Sequence, residues 1–316
     1  MGTLAAAGRD KLTLIVSPAI ASFGSWIEQL IAESTGKESK GILPVVDESL
    51  GVPEVYGSDR LFVYLRLHGD TAYDAPVRAL IEAGQPVMQF NLQDSYDLGG
   101  EVFRWEMAAS VAAHILGVNP FDQPNVESSK VLTHQMMAAY KKQGALPMLT
   151  PLIRADGITV YGDVEANSLA GALNAFLAQA KSGNYVALQA YVQPTDATTA
   201  ALQMFRTHLR DHRKLATTLG YGPRFLHSTG QLHKGDGGKG LFIQFTSDGS
   251  QDAAIPDEAG SSASSITFGV LKMAQALGDR QALLRAGRHV IRFHFGQDVV
   301  GKLKRLVDAL GSEEHE

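Results

Sequence analysis

Residues 11–46 read KLTLIVSPAIASFGSWIEQLIAESTGKESKGILPVV, and this stretch decides the fold. It opens on KLTLIVS, a short run of β-branched and apolar residues that predicts a buried strand. Ser17 followed by Pro18 predicts an N-cap with proline at the first helical position. Ile20, Phe23, Ile27, Leu30 and Ile31 then recur at helical spacing and make one apolar face. Gly36 predicts the stop, and GILPVV predicts a second strand. A strand, a covering helix and another strand form the crossover unit of a parallel sheet.

The alternation continues outward from that unit. RLFVYLRL and PVMQFNL predict strands, with a helix at 75–84 between them and further helices at 101–116, ending at Gly117, and at 126–143. A Pro-rich joint, ALPMLTPLIRADG, suggests a boundary that divides the chain into 1–145 and 146–316. Past the joint, ITVYG, YVALQAYV, PRFLHS, LFIQFTS and HVIRFHFG predict strands. Helices are expected at 167–181, 198–219, 266–277 and 298–310, and a polar loop at 247–265. The expected class is α/β, with mostly parallel sheets flanked by helices in three layers and two subdomains.

Composition narrows the function classes. The 316 residues are 45% hydrophobic, carry a formal charge of −5 and include no cysteine. Such a chain can build more than one core, and a disulfide framework or thiolate metal site is excluded. The mild negative balance gives no general reason to bind nucleic acid or an anionic membrane, so an anionic ligand would need a local cationic site. No apolar run reaches the roughly 18–20 residues that span a bilayer. Together these features lead to an expectation of a cytoplasmic protein.

Three places could carry chemistry. Glu33 lies in the last turn of the first long helix, where the dipole and partial burial both raise a carboxyl pKa toward that of a general base. Ser34, Thr35, Gly36 and Lys37 follow it, a set of hydroxyls and a cation suited to a polyhydroxylated anion; a solvated helix end with a glycine stop is the plain alternative. The second place is FDQPNVESSK, residues 121–130, where Asp122 or Gln123 caps a helix. Lys130 sits early in that helix, a poor place for a cation unless it serves function, and a simple exposed lysine is the alternative. The third is RFLHSTGQLHKGDGGKG, where His227 ends a strand, His233 competes with it, and Lys234 and Lys239 could receive an anion. His208 and His212 lie four apart on a charged helix face, which reads as solvated rather than metal-binding.

Together, FDQPNVESSK, QLIAESTGKESKGILPV and FLHSTGQ resemble three signature segments of the glucose-6-phosphate isomerase family, with Asn125 where the family has glycine. Their order, with FLHSTGQ after FDQ, resembles the isomerase part of bifunctional transaldolase/phosphoglucose isomerase fusions. The resemblance implies a sugar-isomerase (SIS) domain fold. It implies interconversion of glucose 6-phosphate and fructose 6-phosphate through a cis-enediol, with no metal or organic cofactor. It assigns Glu33, His227 and Lys130 as catalytic: His227 and Lys130 open the ring, and Glu33 moves the proton between C2 and C1. Ser34, Thr35, Lys37, Gln123, Ser228 and Gln231 are implied as substrate-binding.

The resemblance also shows a gap. No SKSGGT-like phosphate loop is present; AKSGNY, residues 180–185, is a short connection. Lys37 or Lys234 would have to replace the family's arginine near the reacting carbons. The expected partners are a sugar phosphate and either an N-terminal SIS or transaldolase portion or a second copy of the chain. The rival reading is a sugar-phosphate-binding half-enzyme or remnant, inactive without that first SIS domain.

Overall fold

The computed structural model describes residues 1–125, 127–249 and 251–311. After a short helix α1 (Gly2–Ala6), the first sheet is built from β1 (Lys11–Val16), β2 (Leu43–Val45), β3 (Arg60–Leu67) and β4 (Val87–Leu92). The helices between and after them are α2 (Ser22–Thr35), α3 (Asp74–Glu82), α4 (Leu98–Leu116) and α5 (Glu127–Gln143). The strand order is β2-β1-β3-β4, all parallel. Period-two alternation puts Leu12, Leu14, Leu61 and Val63 against α2 and α4, while Ile15, Phe62 and Tyr64 meet Val77 and Leu80 of α3. That is a three-layer α/β/α arrangement.

The second half contributes β5 (Ile153–Ala155), β6 (Ile158–Tyr161), α6 (Leu169–Leu177), β7 (Tyr185–Tyr191), α7 (Asp196–Arg213) and β8 (Ala216–Tyr221). Next come α8 (Gly230–Gly235), β9 (Gly240–Thr246), a small β10–β11 ladder (Ala254–Ile255 with Ile266–Thr267), α9 (Phe268–Arg285), β12 (His289–His294) and α10 (Val299–Gly311). The strand order is β5-β6-β12-β9-β7-β8; the last four are parallel, and β6 runs antiparallel to both β5 and β12. Asp156 and Gly157, both at positive φ, make the two-residue β5–β6 turn. Leu173, Leu202, Phe205 and Leu306 of α6, α7 and α10 cover one face, and Leu232 and Leu283 of α8 and α9 cover part of the other. The mixed α/β class with mostly parallel, helix-flanked sheets is therefore as expected.

Several elements differ from the sequence reading. Ser17 and Pro18 do open a helical turn, the 3-10 turn Pro18–Ile20, but the Ser17 hydroxyl makes no cap bond; it accepts from Leu67 N (2.9 Å), and α2 itself starts at Ser22. The helix expected at 198–219 ends at Arg213, where Lys214 adopts φ 53, and β-branched Thr217 and Thr218 enter β8 instead. PRFLHS is consequently not a strand; Arg224–His227 is a 3-10 turn leaving that strand. Helix α6 is shorter than 167–181, because Ser168 caps it by accepting from Gly171 N. Helix α9 continues past Gly278 rather than stopping at 277. A Cβ at Gly278 would lie 2.7 Å from Thr133 Oγ1, so that glycine serves the close crossing of α9 over α5. Thus α5, in the 1–145 part of the sequence division, packs on the second sheet's α9. The expected start of α5 at Val126 lies outside the described residues, as does Ser250 of the polar loop.

The two sheets meet where β2 lies beside β8. Ala32, Leu43 and Val45 share a core cluster there with Tyr185, Ala216, Leu232 and Phe242. Arg206 bridges the two edges, donating to Val46 O (2.8 Å) and Thr217 O (2.7 Å). Glu48 accepts from Arg60 (3.3 Å) and from Thr217 Oγ1 (3.1 Å).

Candidate functional site

The three motif segments converge at the C-terminal end of α2. Gln231, 1% exposed, ties them together: its Nε2 donates to Gly36 O (2.8 Å) and Asn125 Oδ1 (2.8 Å), and its Oε1 accepts from Asn125 N (2.9 Å). A side chain on Gly36 would place its Cβ 2.4 Å from Leu232 Cα, so glycine is what lets α8 approach this closely. Residues about 90 and 200 positions apart in sequence are thereby held at one corner of the molecule.

Glu33 is half-buried at this corner. Its Oε2 accepts from Gln123 Nε2 (3.0 Å) and its Oε1 from Gln29 Nε2 (3.4 Å). Burial raises its pKa; the Gln29 hydrogen bond and the Lys37 ammonium pull back the other way. Gln123 itself is exposed. Lys37 is fully buried and donates to the Asp122 carbonyl, with its carboxylate at 3.0 Å. Thr35 is also fully buried; its hydroxyl donates to Ile31 O (2.7 Å) and accepts from Ile42 N (3.0 Å). Lys37, Thr35 and Gln231 are therefore braces in this structure, with their polar atoms engaged by protein. Ser34 is 9% exposed, beside Glu33 in the chain.

His227 is exposed at the end of its 3-10 turn. Ser228 donates to Glu28 Oε1 (3.1 Å) and Phe225 O (3.3 Å). Lys130 is 55% exposed and pairs with Glu127 at 3.5 Å. Lys234 is buried and paired with Asp279 at 2.8 Å, and Lys239 pairs with Asp10, so neither is an open cation over Glu33. His233 lies among Tyr185, Phe225 and Phe242, 2% exposed, with neither ring nitrogen hydrogen-bonded. Burial first, then the neighbouring Lys234 and Arg288 charges, hold its pKa well below the ordinary value. The larger cavities lie elsewhere: a groove of about 520 Å³ near Lys181 and Lys214, and a cleft of about 330 Å³ between Pro18 and Tyr73.

Glu28 and Asp279 were not singled out in the sequence. Glu28 falls between the core positions Ile27 and Ile31, is 8% exposed, and has its pKa raised chiefly by burial. A carboxylate at a core position of an amphipathic helix was the available signal. Asp279 follows a glycine in an even-handed helix pattern and left no such mark.

His233 carries a pH prediction. Its folded-state pKa lies below that of the unfolded chain, so the unfolded chain takes up a proton first as pH falls. Stability present above about pH 6.5 is then lost, by up to about 1.4 kcal/mol per pH unit. Urea titrations at several pH values should show this slope, and His233→Phe should flatten it; an unchanged slope in the variant would assign acid sensitivity to other groups.

The arrangement defines a class first: a parallel α/β scaffold with a half-buried carboxylate beside an amide, on an open face. Comparisons with known proteins add the next step. No family model matches the chain. Glucose-6-phosphate isomerase of Lactobacillus helveticus is 30% identical over 151 residues, covering 36% of this chain and 34% of that enzyme. The Latilactobacillus sakei enzyme is 31% identical over 151 residues, with the same shares, and the Lactiplantibacillus plantarum enzyme is 28% identical over 165 residues, covering 40% and 36%. The chain thus spans about a third of the length of the curated relatives it matches. Among solved structures, a hypothetical protein of Thermus thermophilus aligns over 98% of this chain and 79% of that one at 13% identity, with a TM-score of 0.36. The C-terminal domain of glucosamine-fructose-6-phosphate aminotransferase from Francisella tularensis aligns over 98% and 84% at 8% identity and 0.28. Those scores are too low to define a shared fold. Among the described residues, no helix is long and apolar enough to cross a membrane.

Proposed function

We propose that this chain carries the proton-transfer part of a sugar-phosphate aldose–ketose isomerase, acting on glucose 6-phosphate and fructose 6-phosphate. The observation that carries the reading is Glu33: a carboxylate with a raised pKa, bonded to Gln123, at the meeting point of the three motifs. Glu33 takes the C2 proton from the open-chain aldose and returns it to C1 through a cis-enediol. Gln123 and Ser34 hold sugar hydroxyls. Thr35, Lys37 and Gln231 act as braces, while Ser228 sits at the rim. His227 and Lys130 move protons at the ring oxygen and the anomeric hydroxyl. The order of the motifs favours a place as the C-terminal part of a larger transaldolase/isomerase.

A specific observation favours a second reading, a half-enzyme completed by another SIS portion or a second copy. Gln123, Lys130 and His227 are exposed, and Lys37 and Lys234 are engaged by acids. The enediolate then lacks the positive group that its charge requires, and a partner would supply it. Purified chain assayed with fructose 6-phosphate, coupled to glucose-6-phosphate dehydrogenase, separates the two. Turnover by the chain alone supports the first reading; turnover only after adding an N-terminal SIS fragment supports the second.

Lys130→Ala tests the ring-opening role. It should lower kcat on ring-closed substrate by about 10²-fold while leaving an open-chain analogue within a few-fold of the parent. Equal losses on both would remove Lys130 from ring opening.

A further inference from the structure

We propose that Asp279 is a positioning residue, setting the FDQ helix α5, and with it Lys130, against the FLHSTGQ segment; this rests on the isomerase reading above. Asp279 is fully buried on α9. Its Oδ1 meets Lys234 Nζ at 2.8 Å and accepts from Ser129 Oγ at 3.2 Å, and its Oδ2 accepts from Gln189 Nε2 at 3.2 Å. One carboxylate therefore joins α9 to α8, α5 and the interior strand β7. Its partners flank the proposed chemistry: Ser129 precedes Lys130, and α8 begins three residues after His227.

Physical cost points the same way. A buried ion pair gives up several kcal/mol of hydration per ion, and an apolar replacement of similar volume is commonly as stable. The distinctive contribution of Asp279–Lys234–Ser129 is direction. Apolar packing tolerates a small rotation of α5, whereas a bonded hydroxyl on the buried face of its first turn does not. Lys130 is the next residue, so a rotation at Ser129 carries it away from the ring oxygen. Misplacement of a reacting group by about 1 Å costs on the order of 10²-fold.

The test replaces the pair by apolar residues, Asp279→Leu/Lys234→Met, with Ser129→Ala as the milder variant. Each is compared with the parent chain by hydrogen exchange over residues 127–133 and by kcat and KM for fructose 6-phosphate, with the SIS fragment added if the parent needs it. The expected result is a thermal midpoint near the parent's, exchange in α5 faster by about tenfold, kcat lower by at least about tenfold and KM within about twofold. Unchanged exchange and kcat in either folded variant overturn the proposal. If the double variant does not fold, Ser129→Ala decides by the same criteria. If the parent shows no turnover in any form, the isomerase reading falls, and exchange over α5 alone decides whether Asp279 orders the helix.

Discussion

Glu33→Gln should abolish isomerisation, lowering kcat by about 10²–10⁴-fold with little change in KM. The substitution keeps the side chain's size and a hydrogen-bonding partner for Gln123, which lies 3.0 Å from the carboxylate. What it removes is the proton acceptor. The two carboxylates bonded nearby are already engaged: Glu28 is buried against Ser228 on the preceding turn and a half of α2, and Asp122 is held by Lys37. The pH profile is a second check. Burial raises the Glu33 pKa, so the acid limb of kcat/KM should lie above 4.5, the ordinary value for a glutamate. Activity is full above that limb, where Glu33 is ionised, and is lost as pH falls through it. A Glu33→Gln chain with parental turnover would eliminate the carboxylate mechanism altogether.

Glu48→Gln should destabilise the fold by about 3–5 kcal/mol. Arg60, Arg206 and Arg210 are each no more than 2% exposed at the seam between the sheets. Glu48 lies 3.3 Å from Arg60 and 4.0 Å from Arg210. Tyr56 carries both of these guanidinium groups near its ring, at 5.3 and 5.4 Å, and Asp211 bonds Arg210 at 2.7 Å. Those contacts remain when Glu48 is neutralised, but the buried positive charges are then in excess. Burial lowers the Arg206 pKa, and the Glu48 charge pulls it back up, a compensation that Glu48→Gln removes. Urea unfolding measures the loss, and a change under about 1 kcal/mol would place the seam's stability in its apolar cluster instead.

The alternation of short apolar runs with helical spacing was enough for the class, because a strand covered on both faces must be apolar throughout. The middle of RLFVYLRL, residues 61–65, shows this: both its faces are buried, one on α2 and α4 and the other on α3. Boundaries were harder where local signals conflicted with packing. ATTLGY continues a helical pattern from α7, yet it became β8 because Lys214 turns left-handed and a sheet edge was available. The helix expected to end at residue 277 continues through Gly278 to Arg285, and the glycine there leaves room for Thr133 of α5.

The candidate site divides in the same manner. Glu33 and the FLHSTGQ segment could be named as candidates from residue type and position, since a carboxylate at a helix end and a polar turn are local features, whereas a substrate role for Gln123 rested on the family resemblance. Which of the neighbouring polar groups remain free is a tertiary matter. Lys37, Thr35 and Gln231 read as ligand groups in the chain but are consumed in the fold, because a buried polar atom must find a partner and the nearest lies on another segment. Asp279 was silent for the converse reason: nothing beside it in sequence marks it, and its meaning comes from Lys234, Ser129 and Gln189. By itself the sequence determined the α/β class, which follows from short-range patterns, while it offered Glu33 as a candidate that the family resemblance singles out. Only the tertiary structure decided which of these polar side chains are engaged by protein and which stay exposed, because that depends on contacts between residues up to 200 positions apart.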